Sequence, residues 1–317
     1  MTTFDHPGLL YREPGGFLDG TVPFVRAAVE AGDPVLVALP GDHLGLLRDA
    51  LDGVAGRVVF ADMATAGRNP GRILPSVLLP FAAAHAGHRV SIVGEPVWAG
   101  RTEAERPACA QHEALINAAF AGADASILCP YDEAALGPAA IADAWRTHPV
   151  MISRGDRMPS PWYDGDPIAT AEAVNAALPP PPAEAESVGY EGLRDLSVVR
   201  SFVRRRAAAV LGPDRTQGMV LAMHELATNT IKHAGGPGRV TVWTEPGRIV
   251  CQVDDRGHIT DPLAGRRLPP PLSPCGRGLL MVNQVCDLVR VCTGPAGTTV
   301  RVHMAFDQGL SCRSVAS

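Results

Sequence analysis

In the first half of the chain, short apolar runs at residues 34–39, 57–61, 89–93 and 125–129, with a fifth at 149–152, alternate with helix-length stretches around 17–31, 43–52, 71–86, 103–122 and 133–146. Apolar runs of that length, separated by helices, predict a mostly parallel, doubly wound α/β sheet. Each run ends in polar or turn residues: Pro40-Gly41-Asp42, Asp62-Met63, Gly94-Glu95-Pro96 and Pro130-Tyr131-Asp132. Those ends lie on the edge where open α/β sheets bind ligands, and Glu95 and Trp98 are candidates either for ligand contact or for anchoring a loop. A phosphate loop after the first run would need a lysine. The chain reads Leu39-Pro40-Gly41-Asp42-His43-Leu44-Gly45-Leu46 there, so no such loop is present.

The pattern changes past residue 178. A helix-like stretch at 168–178 is followed by Pro179-Pro180-Pro181-Pro182 and the polar residues 183–187, a stiff polyproline-type spacer. Residues 193–211 place Val198, Val199, Phe202, Val203 and Val210 at helical spacing, a core-facing stripe beside Arg204, Arg205 and Arg206. Asp214 with Gln217 forms a capping-box pattern for the next helix, which Gly235-Gly236 closes after His233. Within it, Glu225 and Asn229 are four apart and share a face. A carboxylate there can take a proton, and a carboxamide oxygen can reach a hard cation such as Mg²⁺.

Three further motifs follow in order. Val250 to Val253 is an apolar strand running into Asp254-Asp255-Arg256-Gly257. Gly276-Arg277-Gly278 opens an apolar helix whose first N–H groups suit a phosphate. Gly297-Thr298-Thr299-Val300 begins a last strand. The order E-x-x-x-N, D-x-G, G-x-G-L, G-T-T resembles the GHKL ATPase superfamily, and its compact spacing is similar to the anti-sigma-factor serine-protein-kinase branch, over roughly residues 188 to 307. The resemblance implies an α/β sandwich. It implies Glu225 as catalytic base and Asn229 as Mg²⁺ ligand. Asp255 would accept from the adenine amino group, with Gly257 leaving room for the ring. Gly276 and Gly278 would face the phosphates, and Thr298 or Thr299 would lie near adenine. The chain departs from the family where His258 and Ile259 replace the continuation to a second glycine, and the lid segment 261–275, with five prolines, is expected to be extended and irregular. Residues 4–11, 94–98 and 109–113 resemble the MEDS family of sensory domains, which implies a degenerate RecA-like fold and a sensing role.

Charge separates the halves. Residues 1–187 hold 12 Arg and no Lys against 23 acids, net −11, whereas 188–317 hold 16 basic and 10 acidic residues, net +6. That contrast suits mutual attraction or acidic partners. Arginine outnumbers lysine 27 to one, which reads as codon bias and carries no nucleic-acid inference. No apolar stretch is long enough to cross a bilayer and no signal-peptide pattern opens the chain, so a cytoplasmic protein without membrane contact is expected. Seven cysteines without a C-x-x-C pair argue against a disulfide framework and a structural zinc. Cys275 is the thiol singled out for reactivity, while Cys109, His112 and Glu113 read as a helix face rather than a metal cluster.

The expected organisation is a sensory domain at 1–178, a Pro-rich linker at 179–187 and an ATP-binding domain at 188–317. The resemblance implies a stress-type transcription regulator that binds ATP and Mg²⁺, holds a sigma factor, and phosphorylates a serine or threonine of a STAS-type anti-sigma-factor antagonist. A small ligand of the first half would control it, and a homodimer is compatible with the reading. The alternatives are a catalytically inactive binding module and a sensor histidine kinase; the latter lacks any histidine between His148 and His224 to accept a phosphoryl group.

Overall fold

Continuous apolar strands such as Val35–Leu39, buried at every position, can only be satisfied in the middle of a covered parallel sheet, and the computed structural model builds one. The structure describes residues 4–175, 177–269 and 276–307. Contacts divide the chain into two units, Met1–Ala176 and Ala177–Ser317.

The first unit is an eight-stranded sheet: β1 (Phe4–Asp5), β2 (Pro7–Tyr11), β3 (Val35–Leu39), β4 (Val58–Asp62), β5 (Val90–Gly94), β6 (Ala125–Asp132), β7 (Val150–Ser153) and β8 (Asp156–Pro159). Its order is β4-β3-β5-β6-β2-β7-β8, with β1 beside β6. All pairs are parallel except β7–β8. The five predicted runs are β3 to β7. Two strands were not legible as such. Pro7-Gly8 opens β2, which lies between β6 and β7, and Gly8 packs on Met151, where a Cβ would sit 2.8 Å from Sδ. The polar β8 is exposed throughout and pairs as an antiparallel edge. The stretch around 71–86 is helical but broken into Pro70–Ile73, a π turn at Leu74–Leu78, and Leu79–Ala84, because Pro75 and Pro80 each remove a donor from the regular ladder.

The second unit is a five-stranded antiparallel sheet in the order β12-β13-β11-β10-β9. Its strands are β9 (Glu186–Tyr190), β10 (Gly238–Glu245), β11 (Arg248–Asp255), β12 (Leu288–Gly294) and β13 (Gly297–Ala305). Glu186 and Ser187, assigned to the linker from sequence, pair with Val242 and Thr241 and so begin the sheet. Helices Leu196–Ala207 and Pro213–Asn229 pack on one face, burying Val199, Phe202, Val203, Met219, Met223 and Leu226 against Val240, Ile249, Cys251, Val253, Val300 and Val302. Val198 is 53% exposed, one position off the stripe. The expected Asp214–Gln217 capping box does not form. Gly212 is the N-cap, Pro213 occupies the first turn, and the Gly212 N–H donates to Asp307 Oδ2 at 2.6 Å.

Strand parity then places the site. Residues 249, 251 and 253 of β11 point into the helix-covered core, so Asp255 continues on that face. Its partner across the ladder is Thr298, next along the face that carries Val300 and Val302. Among the described residues no helix is long and apolar enough to cross a membrane, and the cysteines form no disulfide. Cys275 and the last lid prolines, Pro270, Pro271 and Pro274, lie outside the described residues. The preceding part of the lid is not extended: residues 262–266 are turns, with Ala264 N–H donating to Asp261 O and Arg266 N–H to Leu263 O.

Gly297 holds the β12–β13 hairpin against β11. Its φ is 130°, and a Cβ would meet the backbone oxygen of Asp255 at 2.1 Å. Gly297→Ala is therefore expected to destabilise the second unit by about 1–3 kcal/mol. Denaturant unfolding followed by the fluorescence of Trp243 checks this; an unchanged midpoint would exclude the close approach.

Candidate functional site

The helix Pro213–Asn229 carries Glu225 and Asn229 on one face, and the helix Gly278–Val285 begins directly opposite them. A Cβ on Gly278 would lie 3.0 Å from Glu225 Oε2, 3.1 Å from Asn229 Nδ2 and 3.3 Å from its Oδ1. A Cβ there would crowd both side chains, and its absence sets the uncapped N–H groups of the second helix beside the carboxylate and carboxamide of the first. Gly276, with φ 94°, makes the left-handed turn that aims this helix start.

Past Asn229 the helix widens into a π turn, Thr230–Ala234, closed by Gly235 in the left-handed conformation. The turn directs Thr230 at β11: its Oγ1 donates to Asp255 Oδ2 at 2.6 Å. Tyr190 of β9 donates in turn to Thr230 Oγ1 at 2.9 Å, and burial pushes its phenol up to about 12, so it remains a donor. The other carboxylate oxygen of Asp255 accepts from Gly257 N–H at 2.8 Å. Gly257 packs on the π turn, where a Cβ would be 2.8 Å from Ala234 Cβ, and its carbonyl accepts from Thr298 Oγ1 at 2.9 Å. Tyr190 and Thr230 were missed from sequence. Thr230 could have been found from its place next to Asn229, whereas nothing local marks Tyr190.

These groups surround a cavity of about 860 Å³. Asn229, Asp255, Gly257, Gly276, Gly278 and Thr298 line it together with the apolar Ile259, Leu263 and Leu268. Glu225 stands at its margin against Gly278. Thr299, the alternative to Thr298, is not in this group. It points to the other face of the sheet, where its hydroxyl donates to Asp254 Oδ1 at 2.7 Å. The turn carrying Leu263 is tied down by Asn283 Nδ2, which donates to Gly265 O at 3.0 Å. The chemistry of such a cavity is legible: helix N–H groups for an anion, a carboxamide oxygen for a cation, an oriented carboxylate for a donor, and apolar walls for a flat ring.

The strand edge of the first unit also gathers polar groups. His43 Nδ1 lies 2.7 Å from Glu95 Oε2, the His43 ring stacks on Phe17, and the buried hydroxyl of Tyr11 has no hydrogen-bond partner. Burial raises the Glu95 carboxyl from 4.5 to about 7, against the opposing bond from His43. Trp98 takes the anchoring role: the Arg101 guanidinium sits 3.7 Å from its ring centroid and donates to the carbonyls of Gly67, Arg68 and Pro96. Cys109 and His112 do not converge with Glu113, whose neighbours are His6, Cys129 and His148.

Residues 5–149 match the family model of MEDS, the methanogen/methylotroph, DcmR sensory domain, and residues 192–304 match that of the histidine kinase-like ATPase domain. No curated protein is significantly similar to the chain. Among solved structures, the chain is similar to the RsbU and RsbW domains of Rv1364c from Mycobacterium tuberculosis, with 19% identity and a TM-score of 0.31, over 39% of this chain and 33% of that one. The chain thus spans about a third of the length of that protein.

The Glu95 carboxyl gives a pH signature. Its folded value lies above its ordinary one, so its contribution to stability is complete below pH 4.5 and is lost as pH rises through about 7. His43, raised by its bond to Glu95, shifts in the same sense. Relative to wild type, Glu95→Gln should gain roughly 2–3 kcal/mol of unfolding free energy between about pH 4.5 and about pH 8. Denaturant titrations at both pH values measure this, and a pH-independent difference would remove the raised carboxyl from the account.

Proposed function

With a MEDS domain joined to a histidine kinase-like ATPase domain, we propose that this protein is a cytoplasmic partner-switching regulator of transcription: an anti-sigma factor and serine/threonine-protein kinase whose ATPase domain is controlled by its sensory domain. The observation that carries the reading is the convergence of four sequence-separated motifs on one cavity, with the Gly278 backbone against the Glu225–Asn229 pair. A Cβ would fill that cradle, and the cavity is of the size that holds a nucleotide.

When bound, Mg·ATP would supply the transferable phosphoryl group. Asp255, fixed by Thr230 and Gly257, presents a carboxylate that accepts from an exocyclic amine, and Ile259, Leu263 and Leu268 exclude water around a ring. The amide oxygen of Asn229 would hold the divalent ion, and the N–H groups at the start of the Gly278–Val285 helix would hold the phosphates. Glu225 Oε2 takes the proton of an incoming serine or threonine hydroxyl, so that positioning and charge neutralisation lower the barrier. The hydroxyl belongs to a STAS-type anti-sigma-factor antagonist, and the partner held in the alternative state is a sigma factor. The support for these partners is the order and compact spacing of the motifs. A small ligand at the Glu95–His43 strand edge would be the controlling signal.

One observation favours a second reading, a binding module without transfer. Ile259 stands where the motif has its second glycine, and its side chain lines the cavity while its N–H donates to Thr293 Oγ1 at 3.0 Å.

Calorimetry should show Mg·ATP binding to the full chain. Asp255→Asn should weaken it about ten- to hundredfold, because the amide presents a donor where an acceptor is required and also disturbs the bonds to Thr230 and Gly257. Wild type that binds no adenine nucleotide at millimolar concentration would end the proposal.

Glu225→Gln keeps the shape of the side chain but cannot accept a proton. ATP affinity should stay within a few-fold, while transfer of radiolabelled phosphate to the antagonist falls about a hundredfold or more. Equal transfer by both proteins would exclude Glu225 as base. No transfer by either, with antagonist and sigma factor still bound, would select the binding module.

A further inference from the structure

The first unit buries a cluster that the sheet-edge reading does not use. His6 lies between β1 and β2, Glu113 on the helix Arg106–Ala119, Cys129 within β6, and His148 in the turn before β7. All four are buried, and their ligand-type atoms lie within 4.8 Å of one another. Four distances are close to equal: His6 Nε2 to Glu113 Oε2 3.3 Å, His148 Nε2 to Glu113 Oε2 3.5 Å, Cys129 Sγ to His6 Nε2 3.4 Å, and Cys129 Sγ to Glu113 Oε2 3.4 Å. In a tetrahedral zinc site with bonds of about 2.0–2.3 Å, neighbouring ligand atoms are about 3.3–3.7 Å apart.

Hydrogen bonding shows which atoms face inward as acceptors. Asn117 Nδ2 donates to Thr147 O at 2.8 Å, so Asn117 Oδ1 is the acceptor that receives the His6 Nδ1 proton at 3.0 Å. His148 Nδ1 lies 2.9 Å from Ala144 O, which can only accept. Both rings therefore hold a proton on Nδ1, and in the neutral tautomer each presents an Nε2 lone pair to the carboxylate and the sulfur. Two imidazole nitrogens, a carboxylate and a sulfur held this close in an apolar interior need protons or a cation between them, and a divalent cation satisfies all four at once. The outer bonds from Nδ1 to an amide oxygen and a backbone carbonyl are those that orient metal-bound histidines. His148 Nε2 and Glu113 Oε1 have no hydrogen-bond partner.

We propose that His6, Glu113, Cys129 and His148 form a closed four-ligand site for one divalent ion of the zinc class within the sensory domain. The donor set selects the metal. A single carboxylate cannot satisfy calcium or magnesium, which need six or more oxygens or several waters, and two imidazoles with a thiolate suit zinc. Burial of every ligand leaves no open coordination position, so the ion joins the β1–β2 junction, one helix, β6 and the β7 turn rather than performing hydrolysis. The four residues are too far apart in sequence to form a spacing motif, which is why the cysteine pattern alone points away from a structural zinc.

The test uses the full chain. Protein grown with zinc and exhaustively desalted should retain about one equivalent of zinc by elemental mass spectrometry. After chelator treatment, cobalt(II) should give the intense visible bands of tetrahedral coordination and a near-ultraviolet thiolate-to-metal band, both bleached by zinc. Added zinc should raise the thermal midpoint of the stripped protein. Cys129→Ser should lose the thiolate band, whereas Cys109→Ser, a thiol on the same helix as Glu113 but outside the cluster, should keep it. The wild-type cobalt spectrum needs no variant, so it stands even if Cys129→Ser fails to fold. Less than about a tenth of an equivalent of any transition metal with a colourless cobalt mixture, or a thiolate band that persists in Cys129→Ser, would overturn the proposal and leave the cluster a proton-sharing polar core.

Discussion

The hydrogen bond from Thr230 to Asp255 joins the end of a seventeen-residue helix to the end of a central strand, and the cavity of the second unit depends on it. A helix end and a strand end each leave backbone groups without regular partners, which is why polar side chains concentrate there. The π turn after Asn229 brings Thr230 to bear on β11, and Tyr190 backs it from β9. Removing any one of the three would leave a buried hydroxyl or carboxylate short of a partner at a cost of about 1–3 kcal/mol. Rigidity here matters because Asn229, one residue before Thr230, shares the same turn of chain.

Strand parity decides the rest of the site. The antiparallel register pairs Asp255 with Thr298 and Asp254 with Thr299, and alternate residues face opposite sides. Asp255 and Thr298 therefore share the helix-covered face, whereas Asp254 and Thr299 bond to each other on the far one. That far face is itself polar and partly covered: Arg301 donates to Gln252 and to Pro179 O, and stands over Trp243. One sheet thus carries an apolar face that builds the cavity and a polar face that fastens the chain entering the domain.

What was legible in the sequence follows from range. Five parallel strands, the bounded helix with Glu225 and Asn229, and the glycines at 257, 276 and 278 are written in local spacing. Thr298 against Thr299 was not resolved, because the choice depends on a register 43 residues away, set by pairing with Asp255. Strand β2 begins with Pro7-Gly8, weak strand formers, and its place is set by pairing with β6 and β7, more than a hundred residues away. The lid turn at 262–266 was hidden by its prolines; Asp261 accepts from Leu263 N–H and Gly265 packs on Leu279, tertiary facts that proline content does not encode.

The same limit explains the buried cluster of the first unit. Its members stand at 6, 113, 129 and 148, and only a parallel sheet that sets β2 beside both β6 and β7 brings them together. The strand β6 carries Cys129 into that cluster and, three residues on, delivers Asp132 to the polar edge, where Tyr11 pairs with it across the ladder. The field of Glu95 reaches Cys129 as well, adding to the burial and the Glu113 charge that hold its thiol above the ordinary range. An interior charge balance and the strand-edge group near Glu95 and His43 are therefore coupled along one strand by electrostatics over short distances in a poorly screening interior. Glu95 thus faces His43 at the sheet edge and the Cys129 cluster within the sheet.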